Sequence, residues 1–490
     1  MADDPRHDDN DPDEGDSDAE AWREFLARMG LTPGEAGSGP TDLAGLMDQL
    51  QRAFGRMFSA GSPGPTAGYT GFLDPSGAHP TAPGSLDWRQ VSSTARQVCA
   101  ERGHDPEPST ADREQITEAA RIAESWLDRA TSFPATEEPA QAWRRAQWIT
   151  STLPVWQRFV SPVATSFADA VAEALLRTPE EDTPEASQLA QLAEMMRPML
   201  RTSAAMMYGS KIAEALGRLA AEVLGLTDIG LPLSDRHAVV LLPANVAAFA
   251  EGLDQSATDI RVYLALREAA RQRLFATVGW LQPQLTSLVE QYAAGIRIDM
   301  SAMEDLYRDL DPAHLTPDGL QEAFEKLQGS LFEPATTPQQ RVVLERLETL
   351  LALIEGWVDD VVGQATDGWM PAAPALAETM RRRRAIGGPA EEAFAALVGL
   401  ELRPRRMRDA ANLWAALREA RGTDGRDGVW GHPDTVPTSA GLDDPLGFVA
   451  GEVDRPPVDT GSADAGVDLD AELERLLNEA DRHRGESDES

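Results

Sequence analysis

Cysteine, long apolar runs and an apolar leader are all scarce or absent in this chain, and each shortage excludes a class of protein. The 490 residues contain one cysteine, Cys99, so no disulfide forms within the chain, as is usual in a reducing cytoplasm. No run of about 18 apolar residues is present, which argues against a membrane-spanning helix. The first residues lack a basic segment followed by an apolar one, so we expect no secretory signal and a cytoplasmic location.

Positive charge is also in short supply. Lysine and arginine total 44 against 81 acidic residues, a net charge of −37, and only Lys211 and Lys326 are lysine. Residues 1–20 hold ten acids and one base, and residues 451–490 hold thirteen acids and four bases, so each tail carries −9. This charge argues against nucleic acid or an anionic membrane as partner and leaves a protein or peptide. The preference for arginine, with much alanine, glycine and proline, is typical of a high-GC genome.

Composition divides the chain into four parts. Residues 1–58 form an acidic tail with short amphipathic helices, and residues 59–85 form a linker rich in proline and glycine. Residues 86–449 hold the apolar periodicity of a folded domain, and residues 450–490 form a second acidic tail with one short helix, Leu469–Arg482. The charge of both tails predicts disordered chain.

The folded part has the periodicity of a mainly α protein with at most a small β element. Apolar residues recur at three- and four-residue spacing, and proline or glycine marks most segment ends. The best strand candidate is the β-branched run Ala238–Leu242. The predicted helices are 88–102, 111–129, 138–150, 154–176, 184–198, 203–224, 243–252, 256–277, 282–293, 300–309, 316–328, 337–365, 371–383, 388–398, 404–420 and 440–448.

One predicted helix has the spacing of a zinc-binding motif, but other residues stand at the metal-ligand positions. Arg267-Glu268-Ala269-Ala270-Arg271 has the spacing of H-E-x-x-H, with arginine at both histidine positions. In that motif the two histidines share one helix face and a zinc ion, and the glutamate activates the metal-bound water. A guanidinium has no lone pair to give a metal, so the usual zinc site is not expected.

Arg267 and Arg271 fall in the gap of an apolar stripe, so they are expected to face inward and to need carboxylate partners. The alternative is a rotated helix whose arginines face water. Glu355 and Asp359 interrupt the apolar side of residues 342–362 and, at i and i+4, point the same way. We therefore hypothesise that two guanidiniums among Glu268, Glu355 and Asp359 keep the charge balance of a zinc site without its chemistry.

Several stretches resemble those of the zincin-like metallopeptidase family of high-GC bacteria, whose members carry labels of hydrolase or zinc-dependent metalloprotease. The resemblance covers roughly Leu86 to Val449. The stretches that carry it are LDWRQVSSTARQV (86–98), ALGRLAAEVLGLTDIGLPL (215–233), LLPANVAAFAEGL (241–253), VYLALREAARQRLFATVGWL (262–281), LLALIEGWVDDVV (350–362), GGPAEEAFAALVGLELRPRRMRDAANLW (387–414) and RDGVWGHPDTVP (426–437).

This resemblance implies roles for the same five residues. Arg267 and Arg271 stand at metal-ligand positions, Glu268 at the general-base position, Glu355 at the third ligand and Asp359 behind it. The two arginines depart from the family pattern, so we expect no cofactor, and zinc only if a histidine from elsewhere is recruited. His237 and His432 are the candidates for that role, although His432 also suits a turn between Gly431 and Pro433.

Three function classes follow. The first is a non-catalytic scaffold or peptide-binding protein with the fold of a metallopeptidase. The second is an active zinc-dependent metallopeptidase or hydrolase with a rearranged site around Glu268 and Glu355. The third is an acidic protein that acts only through its tails. The basic clusters Arg381–Arg384 and Arg403–Arg408 either bind the acidic tails, bind a phosphate-bearing ligand or are solvated. No Walker loop and no G-x-S-x-G elbow appears in the sequence.

Overall fold

The computed structural model describes residues 84–175, 184–295, 337–385 and 406–453, all in one compact unit that spans Thr81–Ser490. Most of both predicted tails and of the linker lies outside these residues. The predicted helices 300–309, 316–328 and 388–398 lie outside them as well.

In the described residues the elements follow one another as twelve helices and two short strands. They are α1 (Trp88–Glu101), α2 (Thr110–Leu127), β1 (Gln141–Ala142), α3 (Arg145–Leu175), α4 (Pro184–Ala220), β2 (Val240–Leu241), α5 (Pro243–Ala250), α6 (Ala257–Thr277), α7 (Leu281–Ala294), α8 (Pro338–Thr366), α9 (Ala373–Ala385), α10 (Met407–Asp427), α11 (Ser439–Asp443) and α12 (Pro445–Ala450). The predicted class, mainly α with a small β element, is confirmed. None of the described helices is apolar enough over a sufficient length to cross a membrane.

The small sheet joins two strands that lie a hundred residues apart. β1 and β2 are parallel, with Gln141 opposite Val240 and Ala142 opposite Leu241. The strand predicted at 238–242 is therefore present, but the helix predicted at 138–150 begins too early. α3 starts at Arg145 because the Asp105 carboxylate accepts hydrogen bonds from the backbone N–H groups of Arg145 (2.8 Å) and Ala146 (2.9 Å). This cap comes from a distant part of the sequence, so local spacing does not show it.

Two predicted helix breaks at proline are wrong. α3 runs through Pro154 and Pro162, and α4 runs through Pro198. A proline inside a helix loses one backbone hydrogen bond and crowds the preceding turn, so each continuation needs compensation. Around Pro154 the compensation is burial, since Trp148 and Trp156 on either side of it are both fully buried in the same core.

The helix that carries Arg267–Arg271 lies at the centre of the fold. α6 packs against α2, α5, α8 and α9 and against β2. From Val262 to Phe275 every residue is buried, whatever its polarity. A helix that is buried on all sides is normally apolar all round. This one includes three arginines, one glutamate and one glutamine, so their charges and dipoles must be matched inside the protein.

α8 packs closely on α10 at a glycine. A β-carbon added to Gly356 would lie 2.6 Å from the Ala410 β-carbon and 2.7 Å from the Ala411 amide nitrogen. A β-carbon on Gly363 of the same helix would meet nothing within 4 Å. The contact between α8 and α10 therefore requires glycine at position 356. Nothing in the described structure requires glycine at position 363.

The same substitution at these two glycines is expected to have opposite effects. Gly356→Ala overpacks the α8–α10 contact and should lower the free energy of unfolding by about 1–3 kcal/mol. Gly363→Ala only improves helix propensity and should raise it by up to ~1 kcal/mol. Urea denaturation of the full chain measures both. Equal effects of the two substitutions would contradict the proposed close contact.

Candidate functional site

The segment Arg267–Arg271 lies in the buried middle of α6. The helix begins after Ser256, whose side chain accepts a hydrogen bond from the Asp259 backbone N–H, and ends at Thr277. Arg267, Glu268 and Arg271 are 3%, 1% and 2% exposed. The alternative in which the arginines face water is therefore wrong, and the inward orientation holds.

Both arginines bind carboxylates of α8. Arg271 binds Glu355 in a bidentate manner, with Nε to Oε1 at 2.8 Å and Nη2 to Oε2 at 2.9 Å. Arg267 donates from Nη2 to Glu355 Oε2 at 2.9 Å and from Nη1 to Asp359 Oδ1. Bidentate guanidinium–carboxylate bonds are among the strongest hydrogen bonds in proteins. They join the middle of α6 to the C-terminal half of α8.

A third guanidinium enters from α9. Arg384 Nη1 forms an ion pair with Glu355 Oε2, and Arg384 Nη2 donates to the Asp228 carbonyl oxygen at 3.0 Å. We call Arg267, Arg271, Arg384, Glu355 and Asp359 the arginine cluster. Sequence reasoning missed Arg384, although the run of four arginines at 381–384 was noted.

That run is divided between the interior and the surface. Arg383 pairs with the Asp228 carboxylate at 3.2 Å, and its side chain, like that of Arg384, is largely buried. The side chains of Arg381 and Arg382 are 47% and 75% exposed and pair with Glu378 of the same helix. The predicted solvated face therefore describes only the first half of the run. No tail or phosphate is needed to balance the second half.

Glu268 lies apart from the ion pairs. Its carboxylate accepts hydrogen bonds from the Thr227 backbone N–H (3.2 Å), from Thr227 Oγ1 (2.8 Å) and from Gln272 Nε2 (3.0 Å). Gly225 of the same loop passes so close that a β-carbon on it would lie 2.7 Å from Glu268 Oε2. The hypothesis that the arginines are balanced jointly by Glu268, Glu355 and Asp359 needs correction, because no guanidinium forms an ion pair with Glu268 in the described structure.

The pKa values of Glu268 and Glu355 are shifted in opposite directions. Burial raises the pKa of Glu268 to about 7, although Arg271, Gln272 and Thr227 act to lower it. Burial also acts to raise the pKa of Glu355, but Arg271, Arg384 and Arg267 outweigh it and hold that pKa well below its usual range. Glu355 is thus a fixed anion, whereas Glu268 changes charge near neutrality.

The donor set does not fit the zinc ion that H-E-x-x-H would hold. A carboxylate offers about four lone-pair positions. At Glu355 three of them accept hydrogen bonds from Arg267 and Arg271, and Arg384 contacts Oε2 as well. No lone pair on a guanidinium replaces the missing imidazoles. Among the described residues no three His, Cys, Asp or Glu side chains are grouped as metal ligands.

Neither candidate histidine is a hydrogen-bond partner of Glu268. Its hydrogen-bond partners are Thr227 and Gln272. His432 is an exposed turn residue that caps the short helix Pro433–Thr435 by accepting from the Asp434 backbone N–H at 3.2 Å. His237 forms no hydrogen bond with Glu268 either, so recruitment of these two histidines is not observed.

A second buried network lies one residue further along α8, and sequence reasoning missed it. Asp360 accepts from Arg426 Nη1 at 2.8 Å and from Arg418 at 3.1 Å. Asp427 accepts from Arg426 Nε (2.8 Å) and Trp357 Nε1 (2.9 Å). The adjacent acids Asp359 and Asp360 therefore serve different helices, α6 and α10. The available signal was the pair of neighbouring acids on a mostly apolar helix.

The third buried arginine of α6, Arg273, pairs with acidic residues at the C-terminal end of α2. Arg273 is fully buried and donates from Nε to Glu124 Oε2 (2.7 Å) and from Nη1 to the Phe133 carbonyl oxygen (3.0 Å). Its Nη2 atom also contacts Asp128 at 2.8 Å. The arginines of α6 therefore connect this helix to α8 on one side and to α2 on another.

The R-E-x-x-R segment of α6 faces Glu355 and Asp359 of α8 within a mainly helical fold. A family model described as zincin-like metallopeptidase matches residues 86–449, and the chain belongs to that family. Comparison with curated proteins gives no match. A solved structure from Chloroflexus aurantiacus, described as that of a candidate hydrolase with a novel fold, is similar at 18% identity and a TM-score of 0.51. The match covers 74% of this chain and 98% of that one, and shows a shared fold.

Removal of the central carboxylate should destabilise the protein strongly. Glu355→Ala leaves three buried guanidiniums with one carboxylate fewer, and the free energy of unfolding should fall by about 3–5 kcal/mol. The matched control is Glu378→Ala on α9, which breaks exposed pairs with Arg381 and Arg382 and should change the free energy of unfolding far less. Chemical denaturation at neutral pH gives both values. If the two substitutions cost the same, the arginine cluster does not hold α6 to α8.

Glu268 should give the protein a measurable pH dependence. Because its folded pKa, about 7, lies above the ordinary value of 4.5, the folded state binds the proton more tightly than the unfolded state. The stabilisation that protonated Glu268 contributes to the free energy of unfolding is fully present below about pH 4.5 and is lost as pH rises through 7. The measurement is the difference in unfolding free energy between wild type and Glu268→Gln, which should decrease over that window. A flat difference would show that Glu268 ionises normally.

Proposed function

We propose that this chain is a non-catalytic member of its family, a scaffold that binds a protein or peptide partner, with arginines where a metal would be held. In this proposal Arg267 and Arg271 occupy former ligand positions, Glu355 is the former third ligand and Glu268 is a vestigial general base. The observation that carries it is the engagement of Glu355 by three guanidiniums. A carboxylate held in this way serves as a counter-ion.

The state of Glu268 supports the same proposal. A general base must reach, directly or through one water molecule, the proton that it removes. Glu268 is 1% exposed, and both of its oxygens accept hydrogen bonds from Thr227 or Gln272. Its raised pKa would suit general acid–base catalysis near neutral pH. Its hydrogen bonds, however, go to Thr227 and Gln272 of the protein interior.

The charge of the cluster explains how the scaffold persists without a metal. Zinc would bring two positive charges to the space between α6 and α8. Arg267 and Arg271 bring two as well, and Arg384 of α9 adds a third. The N–H donors of each guanidinium also hold the carboxylates in a fixed geometry, because the planar guanidinium and carboxylate groups match in shape. The active-enzyme alternative requires that these buried ion pairs open and that nitrogen ligands come from elsewhere.

The test combines zinc content with a designed restoration of the motif. Wild type and the double variant R267H/R271H are purified without tags, and zinc is measured by plasma mass spectrometry together with casein hydrolysis. We expect wild type to contain far less than one zinc per chain and to leave casein intact. R267H/R271H removes two of the three guanidiniums from Glu355, leaving Arg384, and supplies two imidazoles, so it should bind close to stoichiometric zinc.

The matched control is R267M/R271M, which removes the same charges without adding ligands and should bind no zinc. Circular dichroism establishes that each variant is folded. Near-stoichiometric zinc in wild type that disappears in Glu355→Gln would overturn the proposal in favour of an active metal site. A folded R267H/R271H that binds no more zinc than R267M/R271M would show that these positions are not equivalent to metal ligands.

A further inference from the structure

An open pocket of about 260 Å³ lies at the C-terminal end of α6, where the chain turns into α7 and the end of α10 approaches. It shares no residue with the arginine cluster. Its aromatic wall is formed by Phe133, Trp280 and Trp430, and its charged side chains are Asp424 and Asp427. Nothing in the scaffold described above accounts for this combination.

The aromatic wall is held rigidly. Trp280 Nε1 donates to the Trp430 carbonyl oxygen at 2.8 Å, and the two ring centres lie 6.2 Å apart. Trp414 stacks on Trp430 from the core side at 5.2 Å, and Phe133 packs on Trp357 at 5.3 Å. The π faces of such rings attract cations, and arginine in particular stacks on them.

Both charged residues that line the pocket are acids. Asp427 is buried and is balanced by Arg426, whose Nε donates to it at 2.8 Å. Asp424 is exposed, and no described cation pairs with it. The unbalanced charge at the pocket is therefore that of Asp424. The chain as a whole, at −37, adds a field that favours a positive ligand.

Three glycines keep the pocket open. A β-carbon on Gly279, Gly428 or Gly431 would meet nothing within 4 Å, and none of the three has a positive φ. Neither backbone conformation nor close packing therefore requires glycine at these positions. Gly428, with φ −59° and ψ −22°, has a conformation that any residue adopts. These glycines therefore leave the rim of the pocket free of side chains.

We propose that this pocket binds the side chain of an arginine in a partner peptide, with the guanidinium against the partly exposed Trp280 ring and paired with Asp424. The volume is below that of typical pockets for drug-sized ligands, about 300–1,000 Å³, and suits one side chain. This deepens the proposed function by giving the partner's chemistry. The two are tested separately, since zinc content reports on the arginine cluster and peptide binding reports on the pocket.

The test is calorimetric titration of the full chain with acetyl-Gly-Arg-Gly-amide, with acetyl-Gly-Gln-Gly-amide as the neutral counterpart and tryptophan fluorescence as a second readout. The arginine peptide should bind about tenfold or more tightly than the glutamine peptide, and addition of salt should weaken it. Asp424→Asn should weaken binding by about tenfold, and Gly428→Leu, which fills the rim, should abolish it.

The matched control is Asp434→Asn, an exposed carboxylate outside the pocket, which should leave binding unchanged. Near-ultraviolet circular dichroism of the tryptophans establishes that each variant is folded. Equal binding of the two peptides, or arginine binding that neither Asp424→Asn nor Gly428→Leu weakens, would overturn the proposal. Acetyl-arginine-amide should bind about as tightly as the peptide, because the pocket holds one side chain.

Discussion

The burial of α6 is the constraint on which the rest of the structure depends. Arg267, Glu268, Arg271 and Arg273 all lie in the stretch of α6, Val262–Phe275, that solvent does not reach. A buried charge without a partner costs far more than one hydrogen bond contributes, so each of the four must be matched from outside the helix. The partners come from α8, from α2 and from the loop before β2. The positions of these elements are thus set by charge as well as by apolar packing.

The same constraint explains why the polar interior is so specific. A guanidinium fork accepts few geometries, so Arg271 fixes both the rotation of α8 and its position along α6. Neighbouring acids on α8 then face different helices, with Asp359 on α6 and Asp360 on α10. Apolar side chains alone tolerate small shifts of one helix against another. Within the proposal of a non-catalytic scaffold, the ion pairs provide the register that a bound metal would otherwise impose.

The sequence predicts the pairing of Arg267 and Arg271 with Glu355 and Asp359, because helical spacing alone puts each pair on one face of its helix. It predicts most helices for the same reason. It does not predict the Asp105 cap of α3 or the contact of Arg384 with Glu355, since both join segments far apart in the chain. The local pattern before α3 fits a longer helix equally well, and the pattern at 381–384 fits a run of solvated arginines equally well.

The covalent attachment of the guanidiniums has a consequence for how the protein reaches its folded state. A structural metal must be supplied by the cell, and its binding free energy becomes part of the folding free energy. Chelators and competing ions therefore act on such proteins directly. The counter-ions of Glu355 are side chains of the same polypeptide, present at a fixed ratio from the moment of synthesis. Within the proposal of a non-catalytic scaffold, the assembly of this interior is therefore expected to be independent of metal supply.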